Sequence, residues 1–316
     1  MKRLGKALAL LLALLLLLIG GLLAYAWAPD IPVDQLKARW AAPPSQFVEV
    51  EGLQVHLRDE GPRDDPQPLL LLHGTSASLH TWDGWVEALK PAHRVIRIDL
   101  PGFGLTGPFA DNDYGTAHYN RFLAALLDRL GVARVAVAGN SLGGLLAWQF
   151  ALAEPQRVGR LILVDAAGYP RNATSIPLGF RLANQPWLQP LMRNVLPREL
   201  IAASVRNVYG DPDKVSPELI ERYYQLSLRE GNREALRQRF KQGWNFDDHA
   251  RIGQLRQPTL IIWGGRDRLI PPDNAARFKR DIAGSRLALF DDLGHVPQEE
   301  DPARSVAPVL RFLAGE

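Results

Sequence analysis

The chain has 316 residues, of which 47% are hydrophobic and 22% charged, and it contains no cysteine; this composition excludes a disordered chain, a disulfide framework and a thiolate nucleophile. The formal net charge is +3, and Lys2, Arg3 and Lys6 account for it, because the remaining chain carries 34 basic and 34 acidic residues. A body without net charge offers no basic surface to phosphates, so we expect no nucleic-acid partner.

The first element in chain order is an uncharged apolar run from Ala7 to Ala28. A helix of this length, at about 1.5 Å per residue, spans the roughly 30 Å hydrocarbon core of a bilayer. The run is longer than the apolar part of a signal peptide, and Tyr25 and Trp27 suit the membrane interface, so residues 1–29 are predicted to be an uncleaved transmembrane anchor. The basic residues before it would stay in the cytoplasm, which puts the body of the protein on the periplasmic or extracellular side.

A cleaved signal peptide is the alternative for this segment. The triplets Ala24-Tyr25-Ala26 and Ala26-Trp27-Ala28 both resemble the small-residue pattern at which signal peptides are cut, and the protein would then be secreted. Residues 30–45 form a predicted juxtamembrane linker, in which Asp34–Trp40 is a possible short helix near the membrane surface.

Predicted strands and helices alternate from residue 46 onward. The predicted strands are β-branched or leucine-rich and are bounded by Gly, Pro or Asp: Phe47–Val50, Val55–Asp59, Leu69–His73, Arg94–Leu100, Val135–Asn140, Arg160–Asp165, Thr259–Gly264 and Arg286–Phe290. The predicted helices carry apolar residues at helical spacing: Tyr119–Leu130, Leu142–Ala153, Asp273–Ile282 and Ala303–Ala314. This alternation is typical of an α/β fold with a mostly parallel sheet, helices on both faces and an antiparallel hairpin at its start.

Residues 168–252 interrupt this alternation. They contain seven prolines and several aromatic residues, and Glu218–Leu228 and Arg233–Trp244 have helical patterns. We interpret this segment as a mainly helical cap, inserted into a core that comprises residues 46–167 and 253–316.

The pentapeptide Gly139-Asn140-Ser141-Leu142-Gly143 lies between a predicted strand and a predicted helix. A nucleophilic serine in such a turn needs small residues two positions before and after it, since larger side chains would clash in the strained backbone. Gly139 and Gly143 meet this requirement, so the segment is predicted to be a nucleophile elbow. A serine that only caps a buried helix is the alternative.

With this elbow in place, the sequence resembles the α/β-hydrolase family over residues 47–313. In that family the catalytic acid and the catalytic histidine follow the serine in that order. The resemblance assigns the acid to Asp267, directly after the predicted strand Thr259–Gly264, and the histidine to His295, after the last predicted strand.

The resemblance also implies a role for each of the three residues. Ser141 would be the nucleophile, His295 the general base and then the general acid, and Asp267 the group that orients the imidazole. Asp165 also ends a predicted strand and is the alternative acid. In that case Asp267 would be a helix cap or a partner in a surface ion pair.

The segment His73-Gly74-Thr75 resembles the oxyanion loop of the family. The backbone N–H groups of Thr75 and Leu142 would hold the negative charge that develops on the carbonyl oxygen of the substrate. We expect His73 to support this turn rather than to act as a base. Asp99, in a second turn that is frequent in the family, is expected to brace the loop.

The resemblance implies a hydrolase with serine chemistry. Apolar and aromatic residues of the predicted cap favour small to medium apolar substrates: Phe180, Leu182, Trp187, Leu188, Leu191, Met192, Tyr223, Tyr224, Phe240 and Trp244. We therefore expect hydrolysis of carboxylic esters through an acyl-enzyme intermediate.

Two other functions remain open. Residues 139–144 and 265–267 also resemble hydrolases that cleave a C–C bond in meta-cleavage-type dienes, although residues 75–78 lack the glycine-rich run usual there. A non-catalytic, membrane-tethered binding protein of the same fold is the second alternative. The sequence contains no phosphate-binding loop, metal-ligand cluster or dinucleotide motif, so we expect no cofactor and no metal. The expected partners are a small-molecule ester and the membrane.

Overall fold

The structure of the protein is a computed structural model that describes residues 2–170, 173–183, 185–188, 192–243 and 247–316. The strands in these ranges are β1 (Gln46–Val50), β2 (Leu53–Glu60), β3 (Leu69–Leu72), β4 (Val95–Ile98), β5 (Val135–Asn140), β6 (Val158–Val164), β7 (Thr259–Gly264) and β8 (Arg286–Phe290).

These strands form one mixed sheet in the order β1-β2-β4-β3-β5-β6-β7-β8. The pairs β1–β2 and β2–β4 are antiparallel, and the other neighbours are parallel. In β3, Leu70 lies opposite Ile96 of β4 and Val137 of β5. The predicted α/β fold, with an antiparallel hairpin before a mostly parallel sheet, is confirmed.

Helices cover both faces of the sheet. In chain order, the helices of the described residues are α1 (Lys2–Tyr25), α2 (Val33–Trp40), α3 (Asp83–Leu89), α4 (Thr116–Arg129), α5 (Leu142–Ala153), α6 (Leu178–Ala183), α7 (Arg198–Val208), α8 (Pro217–Ser227), α9 (Asn232–Gln242), α10 (Asp273–Asp281), α11 (Pro297–Glu300) and α12 (Pro302–Ala314). Short 3₁₀ helices occur at Leu79–Trp82, Pro186–Leu188, Pro212–Lys214 and Asp247–Gln254.

The leucines of β3 alternate between the two faces of the sheet. Leu70 and Leu72 belong to an apolar cluster with residues of α4 and α5, whereas Leu69 and Leu71 belong to a cluster with residues of α3 and α12. All four side chains are fully buried. Because both faces of the sheet are covered, this inner strand is a continuous apolar run.

The chain between β6 and β7 forms helices α6 to α9. Val205 of α7 and Ile220 of α8 share an apolar cluster with Val296, which comes shortly after β8. Helix α8 begins one residue earlier than predicted, and the Oγ of Ser216 caps it by accepting the N–H of Leu219 at 3.1 Å. Helix α9 ends at Gln242, and Trp244, predicted to end this helix, lies outside the described residues.

Helix α1 stands apart from this body. Within the described part of the chain it is the one helix long and apolar enough to cross a membrane, with a mean hydropathy of 2.9, and its apolar residues are not buried against the protein. Residue Tyr25 ends the helix, and contacts with the body begin there: the Tyr25 hydroxyl donates to Glu199 at 2.6 Å.

Helix α2 forms where a short helix near the membrane surface was expected, and it is packed onto the body. Leu36 and Trp40 are buried and share an apolar cluster with Leu105 and Leu226. The indole Nε1 of Trp40 donates to Gln225 of α8 at 2.8 Å. Residues four apart lie on one helix face, and this apolar face is covered by the body rather than left in solvent.

Candidate active site

Ser141 lies in the turn between β5 and α5, in a backbone conformation that few non-glycine residues adopt. Its φ is 54° and its ψ is −112°, and its side chain is almost completely buried. A Cβ at Gly139 would lie 2.1 Å from the carbonyl oxygen of Gly143, and a Cβ at Gly143 would lie 2.1 Å from that of Leu72. The turn therefore excludes side chains at both positions, as the elbow pattern predicts.

His295 and Asp267 form a buried pair at the ends of β8 and β7. The Nδ1 of His295 is 2.6 Å from Oδ2 of Asp267. The other carboxylate oxygen accepts the N–H groups of Leu269 at 2.8 Å and Ile270 at 2.9 Å. Since both oxygens of Asp267 are engaged, the carboxylate is fixed and in turn fixes one edge of the imidazole.

The backbone of His295 is held by two further elements. Its N–H donates to the carbonyl of Val208, at the end of α7, at 2.7 Å. Its carbonyl accepts the side-chain amide of Asn140 at 2.9 Å. Asn140 directly precedes Ser141, so it ties the serine turn to the histidine loop. No separate role was predicted for Asn140, since its partner lies 155 positions further along the chain.

Asp165, the alternative acid, lies next to this pair, but no hydrogen bond among the described residues joins it to the imidazole. One of its oxygens accepts the N–H of Gly264 at 3.0 Å, and the other makes no hydrogen bond within the described part of the chain. One ligand atom each of Asp165, Asp267 and His295 lies within 4.8 Å of the other two. Burial, and then the charge of Asp267, raise the pKa of Asp165 well above its usual range.

The predicted oxyanion donors are the N–H groups of Leu142 and Thr75. Leu142 is the first residue of α5, and the N–H groups at the start of a helix have no partner within the helix. Thr75 lines the same cavity as Ser141. A Cβ at Gly74 would lie 3.2 Å from that of Ser141, so only a glycine lets the loop pass this close without displacing its neighbours.

His73 supports this loop through hydrogen bonds to the backbone. Its Nε2 accepts the N–H of Leu100 at 2.9 Å, and its Nδ1 is 2.7 Å from the carbonyl oxygen of Gly74. This pair of contacts suits a neutral ring with the proton on Nδ1. Complete burial lowers the pKa of His73, which agrees with a neutral ring.

Asp99 braces the neighbouring turns. Its carboxylate accepts the N–H groups of Leu79 and Leu105, each at 2.7 Å, and lies 2.7 Å from Nδ1 of His56. Burial by itself would raise the pKa of Asp99, but the contacts with His56 outweigh it, and the net effect is a lowered pKa. The expected bracing role of Asp99 therefore has a structural basis, and His56 is its buried partner.

Ser141 and His295 open into one cavity of about 770 Å³. Of the ten apolar and aromatic cap residues named from the sequence, four line it: Phe180, Met192, Tyr223 and Phe240. Trp187 is instead 75% exposed, and Leu191 and Trp244 lie outside the described residues.

Two of the three arginines that line the cavity pair with acids, and the third is Arg193. Arg233 pairs with Asp30 at 2.6 Å, and Arg237 donates to Glu234 at 2.7 Å. Both pairs line the cavity, together with many apolar side chains. The cavity is therefore mostly apolar around the serine and the histidine, and it does not present Arg233 or Arg237 as an unpaired cation.

Comparisons with known proteins agree on the family. A family model described as alpha/beta hydrolase fold matches residues 67–302. A 2-hydroxy-6-oxononadienedioate/2-hydroxy-6-oxononatrienedioate hydrolase of Escherichia coli is 30% identical over 283 residues, which cover 85% of this chain and 96% of the relative.

Solved structures show the same fold. The meta-cleavage product hydrolase CumD of Pseudomonas fluorescens IP01 is 26% identical with a TM-score of 0.73, covering 85% of this chain and 97% of that one. A bacterial membrane phospholipase A is 24% identical with a TM-score of 0.72, covering 100% of this chain and 99% of that one.

Proposed function

Since the chain belongs to the α/β-hydrolase family and is a hydrolase, we propose that it cleaves carboxylic esters with apolar acyl groups through an acyl-enzyme on Ser141. The observation that carries this proposal is the position of Ser141 in a strained turn, in one cavity with a histidine that is fixed at 2.6 Å from a buried carboxylate.

The proposed reaction has two steps. The Oγ of Ser141 attacks the ester carbonyl while Nε2 of His295 takes the hydroxyl proton, and the N–H groups of Thr75 and Leu142 stabilise the oxyanion. His295 then gives that proton to the leaving alcohol, which leaves the acyl group on Ser141. In the second step His295 takes a proton from water and the hydroxide attacks the acyl-enzyme. The bond between the acyl carbon and Oγ of Ser141 then breaks, His295 returns the proton to Oγ, and the carboxylic acid is released.

Asp267 keeps the imidazole in the tautomer that this reaction requires. With Nδ1–H donated to Asp267, the lone pair of Nε2 is available to accept the serine proton. The positive charge that then develops on His295 is stabilised by the adjacent carboxylate.

The apolar cavity favours an ester over a dicarboxylate. The Escherichia coli relative is named for dioates, and a buried dianion needs cations that are free to pair with it. In this chain two of the three arginines of the cavity wall, Arg233 and Arg237, already pair with acids, which leaves Arg193 to face the two carboxylates of a dioate. C–C bond cleavage of meta-cleavage-type dienes remains the second candidate, because relatives with that name match at 30% identity over 85% of the chain.

The domain organisation and membrane topology of the chain are part of the same proposal. Residues 1–29 are a transmembrane anchor, residues 30–45 connect it to the body, residues 46–167 and 253–316 are the catalytic core, and residues 168–252 cover the site. The body lies on the periplasmic or extracellular side, and no cofactor takes part. The length, hydropathy and exposure of α1 support the anchor.

The test is an activity profile of the detergent-solubilised full-length protein. We expect hydrolysis of esters of graded acyl length, covalent labelling of Ser141 by a fluorophosphonate, and loss of both in Ser141→Ala, with a fall in rate on the order of 10⁴-fold or more. A ring-cleavage diene is assayed in parallel. Hydrolysis of the diene without ester hydrolysis would favour the second candidate, and labelling that persists in Ser141→Ala would place the nucleophile elsewhere.

A further inference from the structure

The chain that leaves α1 is joined directly to the wall of the cavity. Ala26 is the first residue beyond α1, and its carbonyl oxygen accepts the N–H of Leu196 at 2.9 Å. The N–H of Ala28 donates to the carbonyl of Asn194 at 2.8 Å. Leu196 and Asn194 both line the cavity. One side of the cavity is therefore in contact with the end of the proposed membrane helix.

A second set of contacts holds the residues that follow. The N–H of Ile31 donates to the carbonyl of Leu228 at 2.7 Å, and its own carbonyl accepts the N–H of Glu230 at 3.0 Å. Asp30 lines the cavity and pairs with Arg233 at 2.6 Å. Asp30 is five residues from the end of α1, hence at most about 18 Å from it. The segment 26–31 is thus fixed to the body, and this sets the orientation of the cavity relative to the end of α1.

Large apolar side chains are also exposed in and around α6. Trp187 is 75% exposed, Leu178 49% and Ile176 37%. They flank or belong to α6, whose Gly179 and Phe180 line the cavity. Exposed apolar groups next to the wall of a cavity that also contacts the end of the proposed anchor are suited to the boundary between lipid headgroups and acyl chains.

We propose that Ile176, Leu178 and Trp187, together with residues 26–31, form a surface that lies against the bilayer, and that the substrate is a long-chain acyl ester resident in that bilayer. Its acyl chain enters the cavity directly from the lipid. A route through water would be unfavourable, because it would expose every methylene group of the acyl chain. This inference rests on the proposed ester hydrolysis and on the proposed anchor. It adds the substrate class and the route of entry.

The first test compares two esters of one fluorophore. The full-length protein is reconstituted in vesicles of a diether phosphatidylcholine, whose own chains hold no ester bond. A palmitate ester is carried in the vesicles, and a butyrate ester is supplied in water. Trp187→Glu replaces an exposed side chain that does not line the cavity, and Leu310→Glu, on α12 and 38% exposed, is the matched control.

We expect Trp187→Glu to slow palmitate release about fivefold or more, because a charge at this position opposes insertion into lipid. Butyrate release should change less than about twofold, and Leu310→Glu should change neither rate by more than that. An unchanged palmitate rate, or an equal loss with both esters, would overturn the inference. Absence of hydrolysis of either ester by the unmodified protein would instead refute the proposed function.

The second test measures the position of the surface without using activity. The chain has no cysteine, so Trp187→Cys and Leu310→Cys each provide a single site for an environment-sensitive fluorophore. In vesicles, spin-labelled lipid should quench the probe at position 187 strongly and the probe at position 310 weakly. Equal quenching at the two positions, or none at position 187, contradicts the proposed orientation.

Discussion

Asp165 is a buried carboxyl group beside the His295–Asp267 pair, and its contacts determine which acid can orient the imidazole. Nδ1 of His295 is 2.6 Å from Asp267, whereas Asp165 accepts a hydrogen bond from Gly264. We expect Asp267→Asn to lower kcat/KM by about 10³–10⁴-fold, because the amide favours the wrong tautomer, and Asp165→Asn to lower it less than about tenfold. Steady-state kinetics on a soluble ester measures both. The reverse ranking would transfer the orienting role to Asp165.

The raised pKa of Asp165 makes the stability of the fold depend on pH. Burial and the charge of Asp267 raise the pKa of Asp165 in the folded protein, whereas in the unfolded chain an aspartate titrates near ~3.9. A raised folded-state pKa stabilises the fold fully below the unfolded pKa, and this contribution is lost as pH rises towards the folded pKa. Asp165→Asn stays neutral and should not show this loss.

Thermal unfolding of the two proteins checks this expectation. From about pH 4.5 to 8 the melting temperature of Asp165→Asn should rise relative to that of the unmodified protein. Asp281→Asn is the control, since Arg280 lowers the pKa of Asp281. The contribution of Asp281 is then complete above about pH 5, and the difference between this variant and the unmodified protein should stay nearly constant over most of this range. A difference between Asp165→Asn and the unmodified protein that stays constant over this range would show that Asp165 is ionised in the fold.

The sequence predicted some residues of the candidate site and not others. Ser141 was predicted from the elbow pattern, and the resemblance to the α/β-hydrolase family assigned Asp267 and His295, which follow predicted strands in the order usual for that family. The choice between Asp267 and Asp165 stayed open, since both residues end strands and only side-chain directions distinguish them. Asn140 had no signal, because its partner is remote in sequence.

The turn between β5 and α5 depends on close backbone contact. A Cβ at Gly143 would lie 2.1 Å from the carbonyl oxygen of Leu72, and backbone atoms cannot move aside as a flexible side chain can. We expect Gly143→Ala to cost at least about 1–3 kcal/mol of stability, as overpacking does, and to abolish most activity by moving Ser141.

Gly253→Ala is the matched control for this substitution. There an added Cβ lies 3.5 Å from the nearest carbonyl oxygen, an ordinary contact. Thermal unfolding and ester hydrolysis of both variants give the comparison. Retention of full activity in Gly143→Ala would mean that the elbow does not need this glycine.

At the level of elements, the apolar strands were predicted to within about two residues, because buried strands are uninterrupted apolar runs bounded by turn residues. Helix α3 was not predicted. It has seven residues, which is too short for a helical period to be established. The burial of α2 against α8 was also missed, since a short amphipathic helix has the same pattern on a membrane surface as on a protein.

The cavity is a property of the whole molecule. Its wall includes Asp30, Thr75, Phe240 and His295, which come from four distant parts of the chain. No local pattern encodes such a wall, because it depends on how the elements pack together. The sequence therefore predicted the fold, whereas the substrate depends on a cavity that no motif describes.

Attachment to the membrane determines where the whole molecule is located, and it is tested by changes in α1. If α1 is an anchor, the full-length protein should sediment with membranes, resist about 1 M salt and yield to detergent, because apolar burial is not screened by ions. The double substitution Leu11→Arg and Leu15→Arg adds two charges near the centre of α1, each costing about 2.5–3.5 kcal/mol in a bilayer. It should move the protein to the soluble fraction, while Leu310→Arg should not. A mature chain that begins at Trp27 or Pro29 would identify a signal peptide instead, because the anchor would then be absent from the active protein.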